Sequence, residues 1–293
     1  MENNCEYVSS RGILKSCKIH SSSLISSHDV IDDINFDKLT DGDSVYICNT
    51  AINNFINNIF PCIKCKFVLV SGDCDLSCYK EIFQNCNEFL KFINDTRVIR
   101  WYSQNCTFNR HPKLFKIPIG LDYHTLSNNN NHVWGTFQTP IEQEKELKSL
   151  TANSKKFWER IPLCYSNYHF NLYSKDREEA ISQVPSDIVY YEPVFITRNK
   201  SWTTQCNYTF VLSPYGKGVD CHRTWEAITL GCIPIVKSSG IDSLFDDLPV
   251  LIIKNWSDLN KEFLLNVIDT FKNRTFNYNK LNLKYWIHLI NGT

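Results

Sequence analysis

Residues 210–236, Phe-Val-Leu-Ser-Pro-Tyr-Gly-Lys-Gly-Val-Asp-Cys-His-Arg-Thr-Trp-Glu-Ala-Ile-Thr-Leu-Gly-Cys-Ile-Pro-Ile-Val, read as strand, glycine loop, short helix and second strand. Phe210 to Leu212 is an apolar run closed by Ser213-Pro214, and Ile233 to Val236 is a second run, entered through Gly231 where a helix stops. Between them, Gly216 and Gly218 lead to Asp220, a residue type that caps helix N-termini. A glycine loop feeding a helix start presents unpaired N–H groups and the positive end of the dipole, which favours a bound anion such as a diphosphate.

The charges on that helix sharpen the reading. With Asp220 as N-cap, His222 and Arg223 fall in the first turn, where a cation opposes the dipole unless a ligand anion reverses the cost. Arg223 and His222 lie three and four positions ahead of Glu226, so all three can share neighbouring parts of one face. Arg223 then suits phosphate and Glu226 suits sugar hydroxyls, although an Arg-Glu pair on a solvated face has the same spacing. Lys217 in the loop and Arg198-Asn199-Lys200 upstream offer further positive charge, as an exposed loop would.

The stretch from Phe210 to Val236, followed by Asp247-Leu248-Pro249-Val250 and Trp256, resembles the donor-binding half of exostosin-type glycosyltransferases. The likeness rests on a strand ending in Ser-Pro, a glycine loop, an Arg-x-x-Glu helix and a Gly-Cys-Ile-Pro-Ile strand. It is specific over about fifty residues and looser elsewhere. It implies an inverting enzyme of GT-B architecture: an α/β chain with two Rossmann-like domains facing a cleft, taking a sugar from a nucleotide-diphosphate sugar to a hydroxyl of a glycan or glycoprotein acceptor. The donor-binding set is then Arg198, Ser213, Gly216, Lys217, Gly218, His222, Arg223 and Glu226.

Other phosphate motifs do not fit. Gly216-Lys217-Gly218 is followed by Val219-Asp220, which misplaces the lysine and hydroxyl of a Walker loop, and Cys221 stands where the dinucleotide fingerprint needs its third glycine. Thirty-one basic and thirty-one acidic residues cancel, which argues against a nucleic-acid partner. Apolar runs such as Phe67 to Val70 are far shorter than a membrane span, and the polar start Met-Glu-Asn-Asn-Cys-Glu is not a signal peptide, so a cytoplasmic location is expected. The thirteen cysteines are then read as reduced thiols. Cys62-x-x-Cys65 and Cys74-x-x-x-Cys78 have a zinc-like spacing, but a strand between them would carry the pairs apart.

The 293-residue length suits two domains, expected at residues 1–155 and 156–275, with a C-terminal helix over 276–293 returning to the first. In the first half, Val45–Cys48, Phe67–Ser71, Val98–Tyr102 and Phe115–Ile119 alternate with segments long enough for helices, such as Tyr79–Ile93, which predicts a parallel sheet. Ligands sit beyond the carboxyl ends of such strands. The polar residues there give the candidate catalytic bases: Asp73 first, then Asp122 and His124, each of which also suits a strand-end cap or turn. In the second half, Pro162–Asn167 and Ile188–Tyr191 read as strands, with a helix from Asp176.

Asp73-Cys74-Asp75 opens an alternative, a GT-A-like enzyme in which Mn²⁺ or Mg²⁺ bridges the two carboxylates to the diphosphate. The longer C-terminal signature already supplies cationic groups, so the expectation is a metal-free enzyme with no cofactor. A non-catalytic nucleotide-sugar or glycan binder is the second alternative.

Overall fold

The computed structural model describes residues 1–292 apart from Leu24, Val30 and Asn109. The chain forms two compact units. The first comprises Glu2–Ile119, Gly218–Asp220 and the chain from Asn282, and the second comprises Gly120–Lys217 and Cys221–Leu281.

In the first unit β1 (Ser44–Cys48), β2 (Phe67–Gly72), β3 (Val98–Ser103) and β4 (Leu114–Lys116) form a parallel sheet in the order β1-β2-β3-β4. Every residue of β2 is buried, which is why it reads as an unbroken apolar run rather than an alternating one. Valine, isoleucine and aromatic residues fit this doubly covered position. The sheet is packed by rings from Phe55, Phe60, Phe67, Phe89, Phe92 and Trp101, several in edge-to-face contact. Each such buried side chain contributes roughly 1.5–3 kcal/mol.

Around this sheet lie α1 (Ser10–Ser16), α2 (Ile52–Asn54) within a run of short helical turns, and α3 (Cys86–Ile93). The helix expected from Tyr79 begins only at Cys86. Tyr79 sits at φ 86, outside the helical region, and the Asn85 side chain caps the real start by accepting from the Glu88 N–H. The C-terminal helix (Leu283–Asn291) belongs to this unit: the Leu283 N–H donates to the Glu6 carbonyl at 2.7 Å, and the Tyr102 hydroxyl donates to the Leu289 carbonyl at 2.6 Å.

The second unit opens with α4 (His124–Ser127), a two-residue hairpin of β5 (Asn131–His132) and β6 (Gly135–Thr136), and α5 (Pro140–Asn153), whose start is a Thr139/Glu142 capping box. Its sheet contains β7 (Ile161–Ser166), β8 (Val189–Tyr191), β9 (Tyr208–Leu212), β10 (Ile233–Lys237) and β11 (Leu251–Ile253). All pairs are parallel, in the order β11-β10-β9-β7-β8. The β7–β9 register shifts between Ile161 and Cys164, around Pro162, which has no N–H to give to the ladder. The covering helices are α6 (Lys175–Gln183), α7 (Arg198–Gln205), α8 (His222–Thr229) and α9 (Lys261–Lys272). Gly231, at φ 74, ends α8 in the left-handed conformation, and the Arg160 guanidinium donates to the Leu230 carbonyl at 3.0 Å.

Both units are therefore parallel α/β lobes of the Rossmann-like, nucleotide-binding type. Among the described residues no helix is long and apolar enough to cross a membrane.

Candidate functional site

Strand order points to a candidate site in the second unit. The chain runs β7 to the edge strand β8, then returns past β7 to add β9, β10 and β11, so the winding direction reverses between β7 and β9. In open sheets of this kind the loops leaving two such neighbours diverge, and ligands bind beyond the carboxyl ends of the strands at that point. After β7 come Asn167 and Tyr168, and after β9 come Ser213, Pro214, Tyr215 and Gly216. In the first unit the strands follow one another in sequence, so that sheet has no reversal.

Two guanidinium groups meet at this reversal. Arg223, in the first turn of α8, donates to the Pro214 carbonyl at 3.2 Å and lies over the Tyr168 ring at 5.6 Å. Arg177, in the first turn of α6, donates from Nη1 to the Asn171 carbonyl at 2.7 Å, and its buried Nε has no hydrogen-bond partner. Its Nη2 lies 3.0 Å from where a β-carbon on Gly216 would stand. Among the described residues neither arginine forms an ion pair with a carboxylate. Burial, with the neighbouring positive charge of Arg177, pushes the Arg223 guanidinium below its usual value. Two adjacent cations, one with an orphan buried donor, are an arrangement suited to an anion.

The glycine loop is held open to this site by α6. The Tyr215 N–H donates to Asp176 Oδ2 at 3.0 Å, and the Ser174 hydroxyl donates to the Tyr215 carbonyl at 2.6 Å. Asp176 also accepts from the Trp256 indole at 2.8 Å, so a fully buried tryptophan fixes the anchor itself. Glu226 is half-buried on α8 and accepts from the Trp202 indole at 3.1 Å. Lys217 is exposed, and the Ser213 hydroxyl shares a hydrogen bond of 2.8 Å with Thr224, tying β9 to α8.

A second cluster in this unit corrects the expectation that no cofactor is involved. Asp122, His124 and His222 offer one ligand atom each within 4.8 Å of one another. His124 Nδ1 is 3.1 Å from Asp122 Oδ1, and His222 Nδ1 is 2.7 Å from the Gly120 carbonyl. Along the chain these residues read separately, two as bases and one as a donor contact, and their convergence across about one hundred positions emerges only in the fold. The donor set fits a divalent cation. Two imidazoles suit a borderline ion such as Zn²⁺ and the carboxylate also suits Mn²⁺, and Arg198 Nη2, 2.9 Å from Asp122 Oδ2, would be the outer partner that orients the carboxylate.

Burial alone would raise the Asp122 pKa, but Arg198, His124 and His222 together hold it well below the usual carboxylate range. Arg198 is thus engaged with Asp122, with the Gln143 amide oxygen at 3.2 Å and with the Trp134 ring, 4.5 Å from its centroid. Trp134 forms part of that packing.

The remaining candidates lie in the first unit. Asp73 is buried at φ 54, with the Ser26 hydroxyl 3.2 Å from Oδ1 and Arg11 Nε 3.8 Å from Oδ2. Asp75 is exposed and is not among the grouped ligands. Asp220 is not the cap of α8, whose N-cap is Cys221. Its carboxylate accepts from the Ile119 N–H at 2.7 Å, and its own N–H donates to Asn105 Oδ1 at 2.9 Å. Gly218 is packed so that a β-carbon would meet Asn105 and Asp75 at about 3.0 to 3.1 Å. The polar strand ends Ser71, Ser103 and Gln104 are satisfied internally: Ser71 donates to Ser103 at 3.0 Å, and Gln104 donates to the Pro118 carbonyl at 3.1 Å. This unit also has a cavity of about 710 Å³ near Asp33, Phe36, Cys62 and Cys65, which contains none of these residues.

No protein-family model matches the chain, and no curated protein matches it significantly.

Proposed function

We propose that this chain is a glycosyltransferase that moves a sugar from a nucleoside-diphosphate sugar to a hydroxyl of a glycan or glycoprotein, with a divalent cation at Asp122, His124 and His222. The observation that carries the reading is the pairing of two arginines without a carboxylate partner at the β7/β9 reversal, Arg177 beside Gly216 and Arg223 on the Pro214 carbonyl, close enough for each charge to act on the other. A diphosphate leaving group gains charge as the glycosidic bond breaks, and fixed guanidinium donors stabilise that charge without reorganising. The exostosin-like signature supports the sugar-nucleotide class, the GT-B type and inversion at the anomeric carbon.

A cation bound by the Asp-His-His cluster supplies Lewis-acid stabilisation of developing negative charge. Arg198 keeps the Asp122 carboxylate ionised and oriented. The 3.1 Å contact of His124 Nδ1 with Asp122 supports a second reading, in which His124 is not a ligand and its remaining nitrogen, oriented by that contact, takes the proton of the acceptor hydroxyl. Loss of His124 would then stop transfer while leaving donor hydrolysis measurable.

The test is release of nucleoside diphosphate from a panel of nucleotide sugars, before and after chelation with EDTA and again after adding Mn²⁺. Turnover that falls with EDTA and returns with Mn²⁺ is expected. Turnover unaffected by chelation removes the cation, and no release with any donor removes the transferase reading.

A further inference from the structure

Beside the arginine pair the second unit leaves a group of large apolar side chains in solvent. Phe170, Leu172 and Tyr173 follow β7, and Val194 and Phe195 follow β8; Phe195 is 54% and Tyr173 79% exposed. Scattered exposed apolar residues need no explanation, but these come from two adjacent loops at one end of one sheet. The rings are organised: Phe170 and Phe195 have centroids 5.0 Å apart, and His169 lies 4.2 Å from Phe170.

The patch is joined to the anion site through its own backbone. The carbonyl of Asn171, next to Phe170, receives Arg177 Nη1, and the ring of Tyr168, two residues before Phe170, lies under Arg223. Polar groups at the same strand ends lack partners. Ser166 Oγ, Glu192 Oε2 and His169 Nδ1 are buried without a hydrogen bond, and Glu192 as a whole is only 6% exposed. His169 Nε2 lies 2.9 Å from the Glu192 carbonyl, which can only accept, so Nε2 carries the proton and Nδ1 is left as an acceptor. Flat rings beside unsatisfied hydrogen-bonding groups, joined by the loop after β7 to the arginine pair, match a heteroaromatic base.

We infer that Phe170 and Phe195, with His169, form the platform on which the nucleobase of the donor stacks. The inference rests on the proposed diphosphate site but is separable from it. The phosphates are held by Arg177 and Arg223, the base is held by the rings, and the two contributions to affinity can be removed one at a time.

The experiment is calorimetric titration of a nucleoside diphosphate and, separately, of inorganic pyrophosphate, into the wild type, the Phe170→Ala/Phe195→Ala variant and the Phe170→Trp/Phe195→Trp variant. Stacking contributes enough that the double alanine variant should weaken nucleoside diphosphate binding by roughly tenfold or more while leaving pyrophosphate binding unchanged. The tryptophan variant should retain binding, with quenching of its fluorescence by the base. Equal affinity of all three proteins for the nucleoside diphosphate overturns the platform, and so does an equal loss for both ligands in the alanine variant. Wild-type protein that binds neither ligand overturns the diphosphate site and the platform together, a result distinct from failure of the platform alone.

Discussion

The guanidinium of Arg177 fills the space in front of Gly216, with Nη2 3.0 Å from where a β-carbon on that glycine would stand. The glycine is therefore needed less for its backbone freedom than to let a cation approach the loop. Gly216→Ala must push away the far end of a flexible side chain, which leaves the fold intact but takes a donor from the anion site. Thermal unfolding should be nearly unchanged. Affinity for a nucleoside diphosphate should fall by about 1.5–3 kcal/mol, the worth of a charge-assisted hydrogen bond. Unchanged affinity would separate Arg177 from the ligand.

Arg198 and Asp122 are each about 5–6% exposed in their side chains and pair at 2.9 Å. Arg198→Met leaves a buried carboxylate without its cation and should cost roughly 3–5 kcal/mol in urea unfolding. Adding Asp122→Asn should recover part of the loss, because the stranded charge is gone. A non-additive cycle is the signature of the pair, and simple additivity of the two losses would deny it.

Cation binding at Asp122, His124 and His222 can be measured directly by titrating Mn²⁺ or Zn²⁺ into metal-stripped protein. Removing a hydrogen-bond partner of a ligand typically costs 10–100-fold in affinity. His222→Ala removes a ligand and should exceed that loss, whereas Asp75→Asn, on an exposed residue of the first unit, should leave affinity unchanged. The reverse pattern would move the cation to the Asp-x-Asp alternative.

In the first unit a hydrogen bond from the Cys74 thiol lowers the Cys48 pKa to about 7, against the opposing effect of burial. Its thiolate therefore predominates above that pH, where an ordinary thiol is still mostly protonated. Alkylation of Cys48 by iodoacetamide should rise through about pH 7. Cys74→Ala, which removes the donor, should move the profile upward, and a profile indifferent to Cys74 would contradict the contact.

The parallel strands were legible because burial on both faces makes each a short continuous apolar run, as in β2, β9 and β10. Boundaries were harder. Asp220 looks like an N-cap, but its carboxylate serves Ile119 and the helix starts one residue later, an outcome set by tertiary hydrogen bonding rather than local preference. Tyr79 looks like a helix start until its backbone conformation is known. Arg223 could be singled out because a cation in a first helical turn is locally unfavourable. Arg177 also lies in a first turn, that of α6, but there Asp176 and Glu178 flank it and mask the unfavourable charge, so it does not stand out in the sequence. The Asp122, His124 and His222 group was hidden because sequence reading finds neighbours along the chain, and this cluster is assembled by packing of the start of α8 against residues 120–124.

The central claim is that a diphosphate occupies the space between Arg177 and Arg223. Calorimetric titration of a nucleoside diphosphate into wild-type protein and into Arg177→Ala, Arg223→Ala and the double variant tests it most directly. Saturable binding to the wild type, weakened by roughly tenfold or more in each single variant and lost in the double, is the predicted result. A double variant that stays folded and binds as tightly as the wild type would contradict the account.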